Sequence, residues 1–200
     1  MNLIRIMLVS IAAVSFQLCF SQEITSNEDK YLIVLDVQEY FTLNQLSDSS
    51  SSKLIESINY VISKTDPNKV IYVKTIHLVL NLSLTIPYIY VSLDTPGMRY
   101  DERLNIVNSN IFLKEESSVF TIKSLNEFLV KNKAKEIVIV GLMAEKCVYN
   151  SLIAGKELGY EMYTIPDAII GGSQKTKDEV IDKLKLKGIK LLDINTLVIE

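Results

Sequence analysis

A cysteine and an aspartate, each placed just after a run of apolar residues, are the side chains of this sequence best placed for nucleophilic chemistry. Cys147 lies in Gly141-Leu142-Met143-Ala144-Glu145-Lys146-Cys147-Val148, which follows the apolar run 137–140 and leads into a segment of helical character, 149–158, ending before Gly159. A thiol near a helix N-terminus faces unpaired amides and the positive end of the helix dipole. Both favour a thiolate and could stabilise a developing oxyanion. The alternative is a cysteine that packs helix onto sheet as a small hydrophobe. Asp36 closes the run Tyr31-Leu32-Ile33-Val34-Leu35. A strand buried on both faces would deliver its carboxylate to the carboxyl edge of a sheet, within reach of a nucleophile's proton. Its alternative role is to cap the following turn.

Histidine is the usual proton acceptor for such a nucleophile, and His77 is the only histidine in the chain. It lies near the end of another apolar run, 70–73, and reads as a hydrogen-bonding residue at a strand terminus, with a Cys147/His77 pair as the alternative. Zinc needs several nitrogen, sulfur or carboxylate ligands on one ion, which a single histidine and so few cysteines do not supply. Neither a metal nor a cofactor is expected. Gly171-Gly172 lacks the surroundings of a phosphate-cradling loop and reads as a turn.

The elements that would position these residues alternate in type. Apolar, β-branched runs at 31–35, 70–73, 137–140, 160–165 and 189–192 read as strands. Ile55, Ile58, Val61 and Ile62 repeat at helical spacing, as do Leu125, Phe128 and Leu129, and the charged stretch 175–187 reads as a surface helix. This alternation predicts an α/β fold, a mostly parallel sheet covered by helices, with ligands at the carboxyl ends of the strands. The serine-rich run 47–52 reads as a flexible loop. The segment 78–103, broken by Pro87, Pro96 and Gly97, has no assigned element, and Asn81-Leu82-Ser83 has the form of a glycosylation sequon.

Residues 1–21 combine Arg5, the largely apolar stretch 6–16 and small residues near Ser21, the pattern of an export signal, with an uncleaved N-terminal anchor as the alternative. Cleavage after Ser21 would leave 22–200 as one domain with a single core, located in the periplasm or outside the cell. Of the 2 cysteines, Cys147 alone would remain, so no intramolecular disulfide could form. The formal charge of -3 is spread among interspersed acids and bases. That pattern carries neither a nucleic-acid footprint nor a basic membrane patch, and the expected partner is a small-molecule substrate.

Three ordered blocks resemble the isochorismatase-like hydrolase superfamily, which includes nicotinamidases and N-carbamoylsarcosine amidases. They are Leu32-Ile33-Val34-Leu35-Asp36-Val37-Gln38-Glu39-Tyr40-Phe41; Phe112-Leu113-Lys114 with Ser118-Val119-Phe120; and Gly141 to Val148, continued by Ala154, Gly159-Tyr160 and Asp167-Ala168. The resemblance implies a three-layer α/β/α, Rossmann-like fold. It implies Asp36 as general base, Lys114 as charge stabiliser and Cys147 as nucleophile. Read without it, Lys114 would be a solvated lysine beside Glu115 and Glu116. The resemblance further implies a cis peptide bond between Leu142 and Met143, an oxyanion hole made by the amides of Met143 and Cys147, and a pocket bordered by Gln38, Phe41 and Ala144. Homo-oligomers are common in the superfamily and are expected here by that analogy. The residues Lys74-Thr75-Ile76-His77-Leu78-Val79 depart from the metal-binding pattern of nicotinamidases, which speaks against nicotinamide as substrate. The implied activity is hydrolysis of a small amide, ureido or related C–N bond through a thioester. The alternative is a catalytically silent, exported binding or scaffold protein of the same fold, which a wide separation of Asp36, Lys114 and Cys147 would favour.

Overall fold

The computed structural model describes residues 30–76 and 98–197. The export signal, the sequon, His77 and most of the unassigned segment lie outside the described residues. Six parallel strands form one sheet in the order β3-β2-β1-β4-β5-β6. They are β1 Lys30–Leu35, β2 Val70–Thr75, β3 Ile111–Lys114, β4 Glu136–Leu142, β5 Glu161–Ile170 and β6 Lys190–Leu191. The helices are α1 Glu39–Thr42, α2 Asp48–Ser63, α3 Lys123–Lys131, α4 Tyr149–Glu157 and α5 Gln174–Leu186.

Strands covered on both faces read as unbroken apolar runs because neither face can be polar. In β1, residues 31–35 are all buried and alternate between two cores. Leu32 and Val34 join Leu54, Ile55, Ile58, Val61 and Ile62 of α2. Tyr31, Ile33 and Leu35 join Leu125 and Leu129 of α3, Leu152 of α4, and Val180, Ile181 and Leu184 of α5. The helices thus form layers on opposite sides of the sheet, the three-layer α/β/α arrangement expected from the sequence.

Several elements differ from the sequence reading. The serine run is not a loop but the first turn of α2: Ser47 is its N-cap, accepting from the Ser50 amide at 3.3 Å, and Ser51 is fully buried. Serine composition suggests flexibility, yet serine is also a preferred N-cap, and burial of Leu54 and Ile55 one turn later holds the helix start in place. β2 runs two residues beyond the predicted end, to Thr75. β5 runs through Pro166 because its pairing with β4 jumps from Ile139↔Thr164 to Gly141↔Ile169, so the proline lies in a bulge where no ladder hydrogen bond is required.

Candidate active site

Asp36, Lys114 and Cys147 come from the carboxyl ends of β1 and β3 and from the turn after β4, and the structure brings them into contact. The Lys114 ammonium lies 2.9 Å from Asp36 Oδ2 and donates to Cys147 Sγ at 3.2 Å. Asp36 and Lys114 are each only 2% exposed. Lys114 is therefore not the solvated lysine that its neighbours Glu115 and Glu116 would suggest. The wide separation that would have favoured a silent protein is absent.

The backbone explains how Asp36 reaches the others. If β1 continued, strand alternation would place residue 36 on the face of Leu32 and Val34. Asp36 instead has φ +57°, a left-handed conformation that aspartate tolerates better than most residues. Its amide bonds to the Val73 carbonyl at 2.9 Å, and the carboxylate meets the ends of β2 and β3.

Gly141 sets the nucleophile turn against β1. It pairs with Leu35, has φ +120°, and leaves no room for a Cβ beside the Leu35 carbonyl. The next peptide bond, Leu142–Met143, is cis. Residues Ala144–Val148 then form a π-helical turn that leads into α4. The Met143 carbonyl accepts from the amides of Lys146 (3.0 Å) and Val148 (3.2 Å), and the intervening Cys147 amide is not a donor to it. Glu145 accepts from the Gly172 amide at 3.0 Å and so ties this turn to the loop after β5.

The thiol's electrostatics differ from those expected of a helix N-terminus. Burial pushes the Cys147 thiol above its ordinary value, and the Asp36 charge pushes it further, while the Lys114 charge and hydrogen bond oppose the rise. The expected lowering is overridden because desolvation of a thiolate outweighs the single nearby cation. Burial thus favours the neutral thiol at Cys147, which lies beside Asp36 and Lys114.

Of the expected pocket residues, Phe41 is half-buried, whereas Gln38 and Ala144 are fully enclosed. Ala144 packs in the core with Val148 and Leu152. The Gln38 amide is committed to backbone: Oε1 accepts from Thr75 N (2.8 Å), and Nε2 donates to the carbonyls of Thr75 (3.1 Å) and Met98 (3.3 Å). It joins the Asp36 turn to the end of β2 rather than lying open to a ligand. Tyr100 pairs with Gln38 across an antiparallel bridge; its hydroxyl is buried without a hydrogen-bond partner among the described residues, and burial followed by the charge of Asp36 raises its pKa.

Thr75 was not legible as a site residue. Its Oγ1 accepts from Lys114 Nζ at 2.6 Å and donates to Asp36 Oδ1 at 2.7 Å. Only the sheet order places it between these two side chains. No group of three or more His, Cys, Asp or Glu side chains capable of holding a metal occurs among the described residues. The Thr75 hydroxyl, at the end of β2, is engaged by Lys114 and Asp36. The described residues therefore do not fit a metal centre.

A sequence model described as the Isochorismatase domain matches residues 30–196. The chain is 25% identical over 179 residues, 84% of its length and 88% of the relative's, to the isochorismatase family protein YrdC of Bacillus subtilis. Among solved structures, it is similar to a pyrazinamidase of Pyrococcus horikoshii in complex with zinc (TM-score 0.66, 22% identity), covering 82% of this chain and 99% of that one. It is also similar to PnC1 of L. infantum in complex with nicotinate (TM-score 0.72, 18% identity), covering 86% and 96%.

Proposed function

Since the chain belongs to the isochorismatase family of hydrolases, we propose that it cleaves a small amide, ureido or related C–N bond through a thioester on Cys147. The observation that carries this reading is the contact of one ammonium, Lys114, with both a buried carboxylate and the only described thiol. Isochorismatase itself hydrolyses a C–O bond, so the family alone does not decide the bond. A protonated thiol beside a carboxylate suits an acyl carbon.

In the proposed reaction Asp36 takes the thiol proton as Sγ attacks the substrate carbonyl. Lys114 balances the negative charge that shifts between carboxylate and sulfur. The amides of Met143 and Cys147 receive the oxyanion on the turn that the Met143 carbonyl closes. Collapse breaks the C–N bond, and Asp36 passes its proton to the leaving nitrogen. Water then gives Asp36 a proton and attacks the thioester, and the returning thiolate is reprotonated. No step passes through a metal. The proposal includes export of the mature chain, where Cys147 would be the sole thiol.

The test is a panel of small amides and ureido compounds incubated with wild-type protein and Cys147→Ala. Turnover by wild type, a mass shift on Cys147 corresponding to the acyl group, and loss of both in the variant are expected. Undiminished turnover by Cys147→Ala would refute the mechanism.

A further inference from the structure

Lys114 and Asp36 sit on strands that are not neighbours. β2 runs between β3 and β1, and with strands ~4.8 Å apart the two residues start about 10 Å from each other. The lysine has to reach across the end of β2, and the residue that β2 places there is Thr75, which pairs in register with Lys114. We propose that Thr75 is a positioning residue of the site, whose hydroxyl holds the Lys114 ammonium at the Cys147 sulfur and fixes the Asp36 carboxylate for proton transfer. This rests on the reading of Cys147 as the nucleophile.

The direction of the bridge is set by chemistry. An ammonium can only donate and a carboxylate can only accept, so the Thr75 hydroxyl must donate its one hydrogen bond to Asp36 while its oxygen accepts one from Lys114. Nζ has three protons and four acceptors: Thr75 Oγ1 (2.6 Å), Asp36 Oδ2 (2.9 Å), Cys147 Sγ (3.2 Å) and the Glu116 carbonyl (3.2 Å). The Thr75 contact is the shortest and leaves the weaker sulfur contact dependent on how the ammonium is turned. The threonine itself is held from both sides, since Gln38 accepts from its amide and donates to its carbonyl. Gln38 is two residues beyond Asp36, so the hydroxyl is referenced to the carboxylate it serves. Size matters as well: a larger side chain at this position would occupy the path of Lys114.

The charged groups acting on the Cys147 sulfur are Asp36 from β1, which opposes the thiolate, and Lys114 from β3, which favours it. Thr75 contacts both. Replacing its hydroxyl by a methyl group leaves the Asp36 charge less dispersed and frees the ammonium from its closest anchor. Both changes disfavour the thiolate.

The experiment is alkylation of the full-length protein by iodoacetamide across pH, read by mass spectrometry on the peptide containing Cys147. Thr75→Val is expected to react about tenfold more slowly at neutral pH, equivalent to one pKa unit, with its pH midpoint displaced upward. Thr75→Ser should stay within about threefold of wild type. A merely structural role would lower the unfolding midpoint of Thr75→Val without moving the pH midpoint of alkylation. Should Thr75→Val not fold, Thr75→Ala removes the same hydroxyl and is read in the same assay. Wild-type or faster alkylation by the hydroxyl-free variant, or a Thr75→Ser as slow as it, overturns the proposal. Alkylation needs no substrate, so an inert amide panel would leave this test intact, and an active panel with unchanged alkylation would remove Thr75 alone.

Discussion

Replacing Lys114 by methionine keeps most of the side chain's length and removes its charge, which leaves the enclosed Asp36 without its ammonium partner and with only neutral side-chain donors such as the Thr75 hydroxyl among the described residues. At 2.9 Å and an effective dielectric constant of about 20, the pair attracts by about 6 kcal/mol. Desolvation offsets part of this, and removal of one partner from a buried pair costs ~3–5 kcal/mol. The reciprocal change, Asp36→Asn, should cost less, because the ammonium keeps Thr75, the Glu116 carbonyl and Cys147 as acceptors. With both substitutions together no charge is left unpaired, and the loss should fall about 3 kcal/mol short of the sum of the single losses. Urea unfolding at pH 7 by circular dichroism on the four proteins gives this coupling directly. Additivity within ~0.5 kcal/mol would show that the two charges are solvated independently, and the electrostatic account of the site would fail with it.

The same measurement applies to a second buried carboxylate, Asp101. Asp101 accepts from Arg103 Nη2 (2.6 Å), Arg103 Nε (2.8 Å) and Thr42 Oγ1 (2.6 Å); the Arg103 hydrogen bond, most of all, holds its carboxyl at about 2, despite opposing desolvation. A folded value below the unfolded one of ~3.9 stabilises above that value, and the contribution is lost as pH falls from about 4 through about 2. Asp101→Asn should therefore be about 2 kcal/mol less stable at pH 7, with the deficit closing as the pH falls through that window; a deficit independent of pH would contradict the assignment. Gly141→Ala should lose at least ~3 kcal/mol, from a positive φ combined with overlap on the Leu35 carbonyl, and a urea midpoint equal to that of wild type would show that the β1–β4 approach is looser than described.

The sequence makes the position of Asp36 visible because burial on both faces demands an apolar run, and the first polar residue after it marks the sheet edge. Cys147 is visible as the thiol in the turn that follows the apolar run of β4. Lys114 is not: β3 is four residues long, with Ile111 and Leu113 exposed, so hydropathy marks no strand there, and only family resemblance pointed to the lysine. Gln38 and Thr75 are further from view. Their roles depend on which strands become neighbours, and neither composition nor periodicity records that a glutamine after β1 will clasp the last residue of β2. The serine run shows the opposite failure, since local composition reads as a flexible loop where capping and the burial of Leu54 and Ile55 impose a helix. The thiol's environment differs from the sequence expectation because proximity to a helix start can be read from sequence, whereas the depth of burial cannot.

The order β3-β2-β1-β4 has a consequence for how the protein acquires its chemistry during synthesis. The carboxyl ends of four adjacent strands, or the turns just beyond them, place Lys114, Thr75, Asp36 and Cys147 together, yet these residues are scattered across 112 positions of chain, from residue 36 to residue 147. β4 inserts beside β1 only after β2 and β3 have been made, and such distant parallel pairings are slow to form. A nascent chain therefore carries an ordinary, accessible thiol until the sheet closes around it. The pairing of β4 with β1 is what brings that thiol beside the carboxylate, so the reactivity of the Cys147 sulfur reports whether these two strands have met.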